Sequence, residues 1–491
     1  MTADTDSEPI RAAEAERREA ERREAEHQEA ERREAIRAAE AEHQEAERRE
    51  AVADPAEAGG GDAGRNQRRS CGCPENDRAG LSRRSFLGRA AAASAAGLLG
   101  GLTGEGLATR LAFAADPYYQ GDVLVVLSLR GGFDGLSAVV PAGDPDYYRA
   151  RPTIAVPASQ VIGRSGIFGL HPAMAPLLPL WRAGRLGAIQ AVGQSDPTRS
   201  HFAAMEAMER AAPGTSLRTG WIDRMLGVRG TSSVFAGMSV GDSLMPQSMA
   251  GVVPKLSMTS INGFELAGES TSNPMVTALR SLHAGAPAAV ADPAAETLAA
   301  LGTTRRLNSA PVGPANGAAY PATELGSALR DVARLIRASV GLQIACVDFG
   351  DWDMHEGLGR AAPGGWMYDH LSELAKALAA FATDLGSAGL AGVTLITLSE
   401  FGRRVGQNGS GGTDHGHGNA MLMLGGGVAG GRVYGTWPGL APASLDAGDL
   451  RGTTDYRAVI GEILQKRCRT GSLSQVFPGV RPSNLGVVRS R

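Results

Sequence analysis

The segment Gly121-Asp-Val-Leu-Val-Val-Leu-Ser-Leu129 runs straight into Arg130-Gly-Gly-Phe-Asp134-Gly. A near-continuous apolar run of strand length belongs to a strand covered on both faces, as in parallel sheets. Four more runs read the same way: Leu186–Val192, Leu342–Asp348, Val393–Leu398 and Ala420–Leu424. Between them, His171–Ala183, His201–Arg210, Ala328–Val340, Tyr368–Leu385 and Tyr456–Arg467 carry apolar residues at three-to-four spacing, the mark of helices with one buried face. Alternating strands and helices imply a layered α/β fold. Residues 115–491 are expected to form that domain, and the Gly/Ala/Pro-rich stretch 285–325 a surface excursion or cap.

The N-terminal part has a different composition. Residues 11–51 hold 14 Glu and 10 Arg with one large aliphatic residue, Ile36. Pairs such as Glu14–Arg18 and Glu29–Arg33 are spaced i,i+4 with the acid first, which supports a solvated single helix. There is no apolar seam for a coiled coil. Residues 1–10 read as disordered, and 52–81 as a Gly/Asp/Pro/Asn linker containing Cys71-Gly-Cys73, a thiol pair too small to close a zinc site alone. Residues 82–114 read as a twin-arginine export signal. Ser82-Arg-Arg-Ser-Phe-Leu-Gly-Arg89 precedes the uncharged run Ala90–Gly104 and the small-x-small site Ala112-Phe-Ala114. The expected partner is the twin-arginine translocase, and the expected destination the periplasm or the cell exterior.

The chain has 491 residues and a formal net charge of -3. That balance excludes a strongly basic nucleic-acid binder. No apolar run reaches the roughly 18 residues of a spanning helix. Four cysteines are too few for a disulfide scaffold, and after cleavage at Ala114 only Cys346 and Cys468 remain to form one. No pattern sets an oligomeric state.

Ligands of open α/β sheets bind beyond the carboxyl ends of the strands. Five polar segments fall at or beside such ends. They are Arg130–Gly135, Gly193–His201, Phe349–Glu356, Ser399–Arg404 and Thr413–Asn419, the last just before its strand. Carboxylates and imidazoles together suit a divalent ion, zinc first, with manganese, calcium or magnesium where oxygen dominates. Asp351 and His355, four apart, would point at one metal from one helical turn. Asp134 is either a ligand or a helix cap. Ser200 precedes a helix, where a hydroxyl faces the positive dipole end; it is either a nucleophile or a plain cap, with Thr198 and Ser195 as alternates. Arg199, Arg403 and Arg404 are candidates to hold an anion, and His171 reads as structural.

Taken in order, the twin-arginine leader, Leu-Arg-Gly-Gly-Phe-Asp-Gly, Arg-Ser-His-Phe, Gly-Trp-Ile-Asp-Arg, Asp-Phe-Gly-Asp-Trp-Asp-Met-His, Ser-Glu-Phe-Gly-Arg and Gly-Thr-Asp-His-Gly-His-Gly resemble the exported bacterial family known as domain of unknown function 1501. That family is grouped with the alkaline-phosphatase-like superfamily, which includes sulfatases. The resemblance implies an α/β/α sandwich with a central mainly parallel sheet. It further implies a metal-dependent hydrolase of phosphate or sulfate esters acting on a small anionic ester or glycan. Under it, Asp134 holds one metal, and Asp351 with His355 the other. Glu400 and His415 or His417 complete the ligands, and Ser200 attacks. Phe401 departs from the superfamily pattern, which has a His there, so a site rebuilt with Asp353 or His201 is one expectation. A catalytically degenerate metal- or glycan-binding protein is the alternative.

Overall fold

A computed structural model describes residues 119–491 except 196, 232, 243, 266–273, 310–312 and 481–482. The charged helix, the linker with its two cysteines and the export signal lie outside the described residues.

Among the described residues, nine strands form one sheet: β1 (Val123–Leu129), β2 (Leu186–Gly193), β3 (Gly237–Val240), β4 (Leu256–Met258), β5 (Ile344–Phe349), β6 (Val393–Leu398), β7 (Asn419–Gly425), β8 (Val433–Tyr434) and β9 (Thr454–Asp455). The order is β8-β2-β7-β6-β1-β5-β3-β4, with β9 also paired to β2. All pairings are parallel except those of β7, which runs antiparallel to both β2 and β6. A small three-stranded antiparallel sheet (Val139–Val140, Phe168–Leu170, Ile162–Ser165) lies apart from this one.

Strand β1 shows why the large sheet is covered on both faces. Val125, Leu127 and Leu129 enter one apolar cluster, and Leu124 and Val126 enter the other. Adjacent strand residues point to opposite faces, so an unbroken apolar run needs helices on both sides. The longer helices among the described residues are α1 (His201–Arg210), α2 (Trp221–Val228), α3 (Pro274–His283), α4 (Ala288–Ser309), α5 (Glu324–Arg337), α6 (Trp366–Leu390) and α7 (Tyr456–Lys466). Helices α5 and α6 supply Leu329, Leu371 and Leu378 to the first face; α2 and α7 supply Trp221, Ile222 and Ile460 to the second. The result is an α/β/α sandwich with a mainly parallel sheet. Burying one leucine or isoleucine of this kind stabilises by roughly 1.5–3 kcal/mol.

Several local readings change. His171–Ala183 is a 3-10 helix, Pro172–Leu177, followed by a short α-helix, Leu178–Arg182; prolines at 172, 176 and 179 remove the amide donors that a continuous helix needs. The 285–325 stretch contains the 22-residue α4, whose Leu298 and Leu301 pack against Val276 of α3. Cys346 and Cys468 are buried free thiols, so no disulfide joins them. No helix among the described residues is long and apolar enough to cross a membrane.

Reversal of β7 shapes the rim. Asn419, its first residue, pairs with Val192 near the end of β2, so the segment entering β7 arrives at the edge where β1, β2, β5 and β6 finish. Residues after four strands and before a fifth therefore share one rim.

Candidate metal centre

Three imidazoles and one carboxylate converge at this rim. His415 Nε2 is 3.0 Å from His201 Nε2, 3.0 Å from His355 Nε2 and 3.1 Å from Asp353 Oδ1. His355 Nε2 is also 3.1 Å from Asp353 Oδ1, and His201 Nε2 is 3.4 Å from Asp353 Oδ2. Ligand atoms of His201, Asp353 and His415 all lie within 4.8 Å of one another. Donors placed tetrahedrally about zinc at its usual bond lengths sit about 3.3 Å apart.

The far nitrogen of each ring is tied down. His201 Nδ1 is 2.8 Å from Glu400 Oε1, His415 Nδ1 is 2.9 Å from the Arg199 carbonyl oxygen, and His355 Nδ1 is 3.1 Å from Asp414 Oδ1. Carboxylates and carbonyls only accept, so each Nδ1 carries the hydrogen, and the neutral form of each ring presents a bare Nε2 lone pair to the centre. Metal-binding histidines are held in this way, the second nitrogen donating to a carboxylate or a backbone carbonyl. Lone pairs facing one another and a carboxylate repel. A cation satisfies all four groups at once; a shared proton cannot, because His415 Nε2 has three partners.

Burial pushes the Asp353 carboxyl up, but the Arg403 guanidinium, which donates to it at 2.6 Å, outweighs burial and holds the group below the usual carboxylate range. Asp353 is thus an anion throughout the physiological range. Asp414 is also held below the usual carboxylate range, by the Asn408 amide and His355.

The sequence candidates occupy distinct places. His355 and His415 are in the cluster. Glu400 is beside it: Oε1 accepts the Gly131 N–H at 2.8 Å as well as the His201 ring N–H, and Oε2 accepts the Ser399 hydroxyl at 3.2 Å. Its carboxylate aims His201. His417 turns away, with Nε2 3.0 Å from the Gln194 carbonyl oxygen. Asp351 is exposed, in a left-handed conformation (φ 64°), and its charge lies beside His370. The chain from 350 to 355 is not helical, so the four-residue spacing does not bring Asp351 and His355 together; Asp353 is the residue that meets His355. Asp134 is buried in a two-pronged pair with Arg151, 2.6 and 3.0 Å. Burial opposes ionisation of Asp134, yet Arg151 holds its carboxyl below the ordinary value.

Of the candidate anion holders, Arg403 is fully buried. It donates to the backbone carbonyls of Gly131, Gly132, Trp352 and Thr413 and, at 2.6 Å, to Asp353. Arg199 pairs with Asp449 at 2.6 Å, and Arg404 reaches the same carboxylate at 3.3 Å. Ser200 is the exposed N-cap of α1, its side chain making no capping bond. Phe401 packs on the rings of His201 and His415, 4.8 Å between centroids in each case. Sequence reasoning gave Asp353 and His201 only as substitutes. The motif Arg-Ser-His-Phe and the second Asp of Asp-Trp-Asp-Met-His were the available signals.

An open cleft lined by Asp353, Met354, His355, Glu356, Gly357, Trp366 and Ser410 leads from the cluster to solvent. Fold and rim together define a layered α/β protein with a His₃Asp constellation at the carboxyl edge of its sheet. A family model described as a protein of unknown function, DUF1501, matches residues 277–460. No curated protein sequence matches the chain. Three solved structures show distant likeness. The zinc complex of the C-terminal periplasmic domain of EcEptC from Escherichia coli is 10% identical, covering 63% of this chain and 74% of that one, with a TM-score of 0.29. The PsFucS1 sulfatase from Pseudoalteromonas sp. is 12% identical, covering 79% and 75%, with a TM-score of 0.34. The magnesium-bound TAB5 alkaline phosphatase mutant is 12% identical, covering 72% and 100%, with a TM-score of 0.29.

Proposed function

We propose that this chain is an exported, metal-dependent hydrolase of phosphate or sulfate esters on an alkaline-phosphatase-like scaffold. The observation that carries the reading is the meeting of three Nε2 lone pairs and an ionised carboxylate, each imidazole anchored through its other nitrogen. His201, Asp353, His355 and His415 would hold the ion. Three imidazoles and one carboxylate suit zinc better than magnesium or calcium, which prefer oxygen; manganese stands between. A bound divalent ion would supply Lewis acidity toward a phosphoryl or sulfuryl oxygen.

The chain's own groups do the rest. Glu400 and Arg403 hold His201 and Asp353 in place, and the open cleft admits a small ester or glycan. Ser200, exposed at the start of α1 and adjacent in sequence to His201, would be the nucleophile toward the central atom; in support, its hydroxyl is not consumed by capping. Its position at a helix N-terminus favours the alkoxide and the anionic ester alike. The Tat-type leader would carry the folded domain out through the twin-arginine translocase to the periplasm or beyond.

One observation favours a second reading, a secreted metal- or glycan-binding protein without turnover: Phe401 covers one flank of the histidine pair. Purified protein loaded with zinc and offered aryl phosphate and aryl sulfate separates the two. Turnover lost on chelation and in Ser200→Ala supports the hydrolase; tight zinc with no turnover on either ester supports the binder.

A further inference from the structure

The resemblance to two-metal hydrolases makes Asp134 a ligand of one ion, and the structure gives that carboxylate a different counter-charge. We infer that the Arg151 guanidinium permanently takes the place of a metal ion against Asp134, so that the chain binds a single divalent ion, at His201, Asp353, His355 and His415. This inference rests on the metal reading above and narrows it.

Arg151 is 0% exposed and Asp134 4%. Two guanidinium nitrogens engage both carboxylate oxygens, at 2.6 and 3.0 Å. The remaining hydrogens go to the Val405 carbonyl at 2.9 Å, the Arg404 carbonyl at 3.0 Å and the Ser137 hydroxyl at 3.0 Å. Ser137 in turn donates to Asp134 Oδ2 at 2.7 Å. Every polar group of the pair is thus satisfied without an ion. Arginine stays charged in proteins, so the guanidinium cannot yield its place by losing a proton. A metal at Asp134 would strand a buried, unpaired cation, and removing one partner of such a pair is what destabilises it most. The mutually close set of metal-capable atoms among the described residues is His201, Asp353 and His415; His355 adjoins it through His415 and Asp353, at 3.0 and 3.1 Å, whereas Asp134 is bonded to Arg151 instead. Glu400, the other acid the resemblance implicates, has its two oxygens occupied by Gly131, His201 and Ser399.

Cobalt(II) titration of the metal-stripped protein, followed by its visible d–d absorption and by elemental analysis of the dialysed product, tests the inference. One equivalent is expected to saturate the wild type. The same equivalent and the same spectrum are expected in Asp134→Asn. Should that variant fold poorly, the paired Asp134→Leu/Arg151→Met replacement keeps the core neutral and is expected to give the same count. Two equivalents in the wild type, or a count or spectrum that changes with Asp134, overturns the single-ion inference and leaves the metal reading standing. No cobalt bound to the wild type overturns the metal reading, and with it this inference.

Discussion

His355 and His415 approach each other through their Nε2 atoms at 3.0 Å, from loops 60 residues apart in sequence. Their opposite nitrogens are held by Asp414 and the Arg199 carbonyl. Neither ring can rotate to relieve the contact without losing its anchor. His355→Ala should therefore remove a ligand without disturbing the fold, since that side chain is nearly half exposed. Zinc affinity, measured against a competing chelator, is expected to fall by well over 100-fold. Glu400→Gln keeps the shape but replaces the ionised acceptor that aims His201. An intermediate loss is expected, roughly 10–100-fold, the range for partners that orient a ligand. Equal affinity in both variants and the wild type would remove the centre.

Arg403 is a brace. It reaches four backbone carbonyls from three segments and the Asp353 carboxylate, all from full burial. Arg403→Met retains bulk but leaves those carbonyls without donors, at about 1–3 kcal/mol for each buried group left unpaired. Urea unfolding should show a loss of roughly 3 kcal/mol or more. Arg403→Lys should recover only part of it, because an ammonium cannot span the fork. A surface role in anion binding alone would leave the urea midpoint unchanged.

His171 links stability to pH. Burial lowers its pKa from 6.5 to about 4, the Asp134 charge opposing only weakly. The ring is 1% exposed, and its Nδ1 accepts the Ala173 N–H. Its folded pKa lies below the unfolded one, so its contribution is complete above pH 6.5. Between 6.5 and 4 the unfolded chain takes up a proton that the native ring refuses, and stability falls, by up to about 3 kcal/mol. His171→Asn preserves a capping acceptor without the titration. Its melting temperature should be flatter than that of the wild type between pH 6.5 and 4. Parallel curves would show that another group governs the acid limb.

Much of the sheet was legible because burial on both faces leaves an unbroken apolar run. Val123–Leu129 and Val393–Leu398 needed little beyond hydropathy. Direction was not legible: Asn419–Gly425 is as apolar as its neighbours, yet it runs against them, and an apolar run reads alike from either end. That reversal is what delivers His415 to the rim. At the site, residue types were visible and partnerships were not. The spacing of Asp351 and His355 suggested a helical turn, whereas the chain there is irregular, with Asp351 in a left-handed conformation, and it is Asp353 that meets His355. Nothing in the sequence sets Arg151 apart; only the fold shows that it pairs with Asp134 in a buried setting.

Gly131 offers the most local test of this arrangement. Its φ is 114°, a region that residues with a Cβ rarely adopt, and a Cβ there would stand 2.7 Å from the Asp353 backbone nitrogen and 2.9 Å from Trp352 backbone atoms. Its N–H also donates to Glu400. Gly131→Ala should thus displace the Asp353 segment and loosen Glu400 together. Strain of this kind costs on the order of 1–3 kcal/mol. The expected result is a modest drop in melting temperature with a disproportionate loss of zinc affinity, because both supports of the centre move while the core does not. Gly166→Ala is the control: its φ is also positive, at 59°, but a Cβ there meets nothing within 4 Å. It should lose some stability and keep its metal. If the two variants lose zinc equally, backbone strain in general is responsible, and the close approach of Gly131 to Asp353 has no special part in holding the centre.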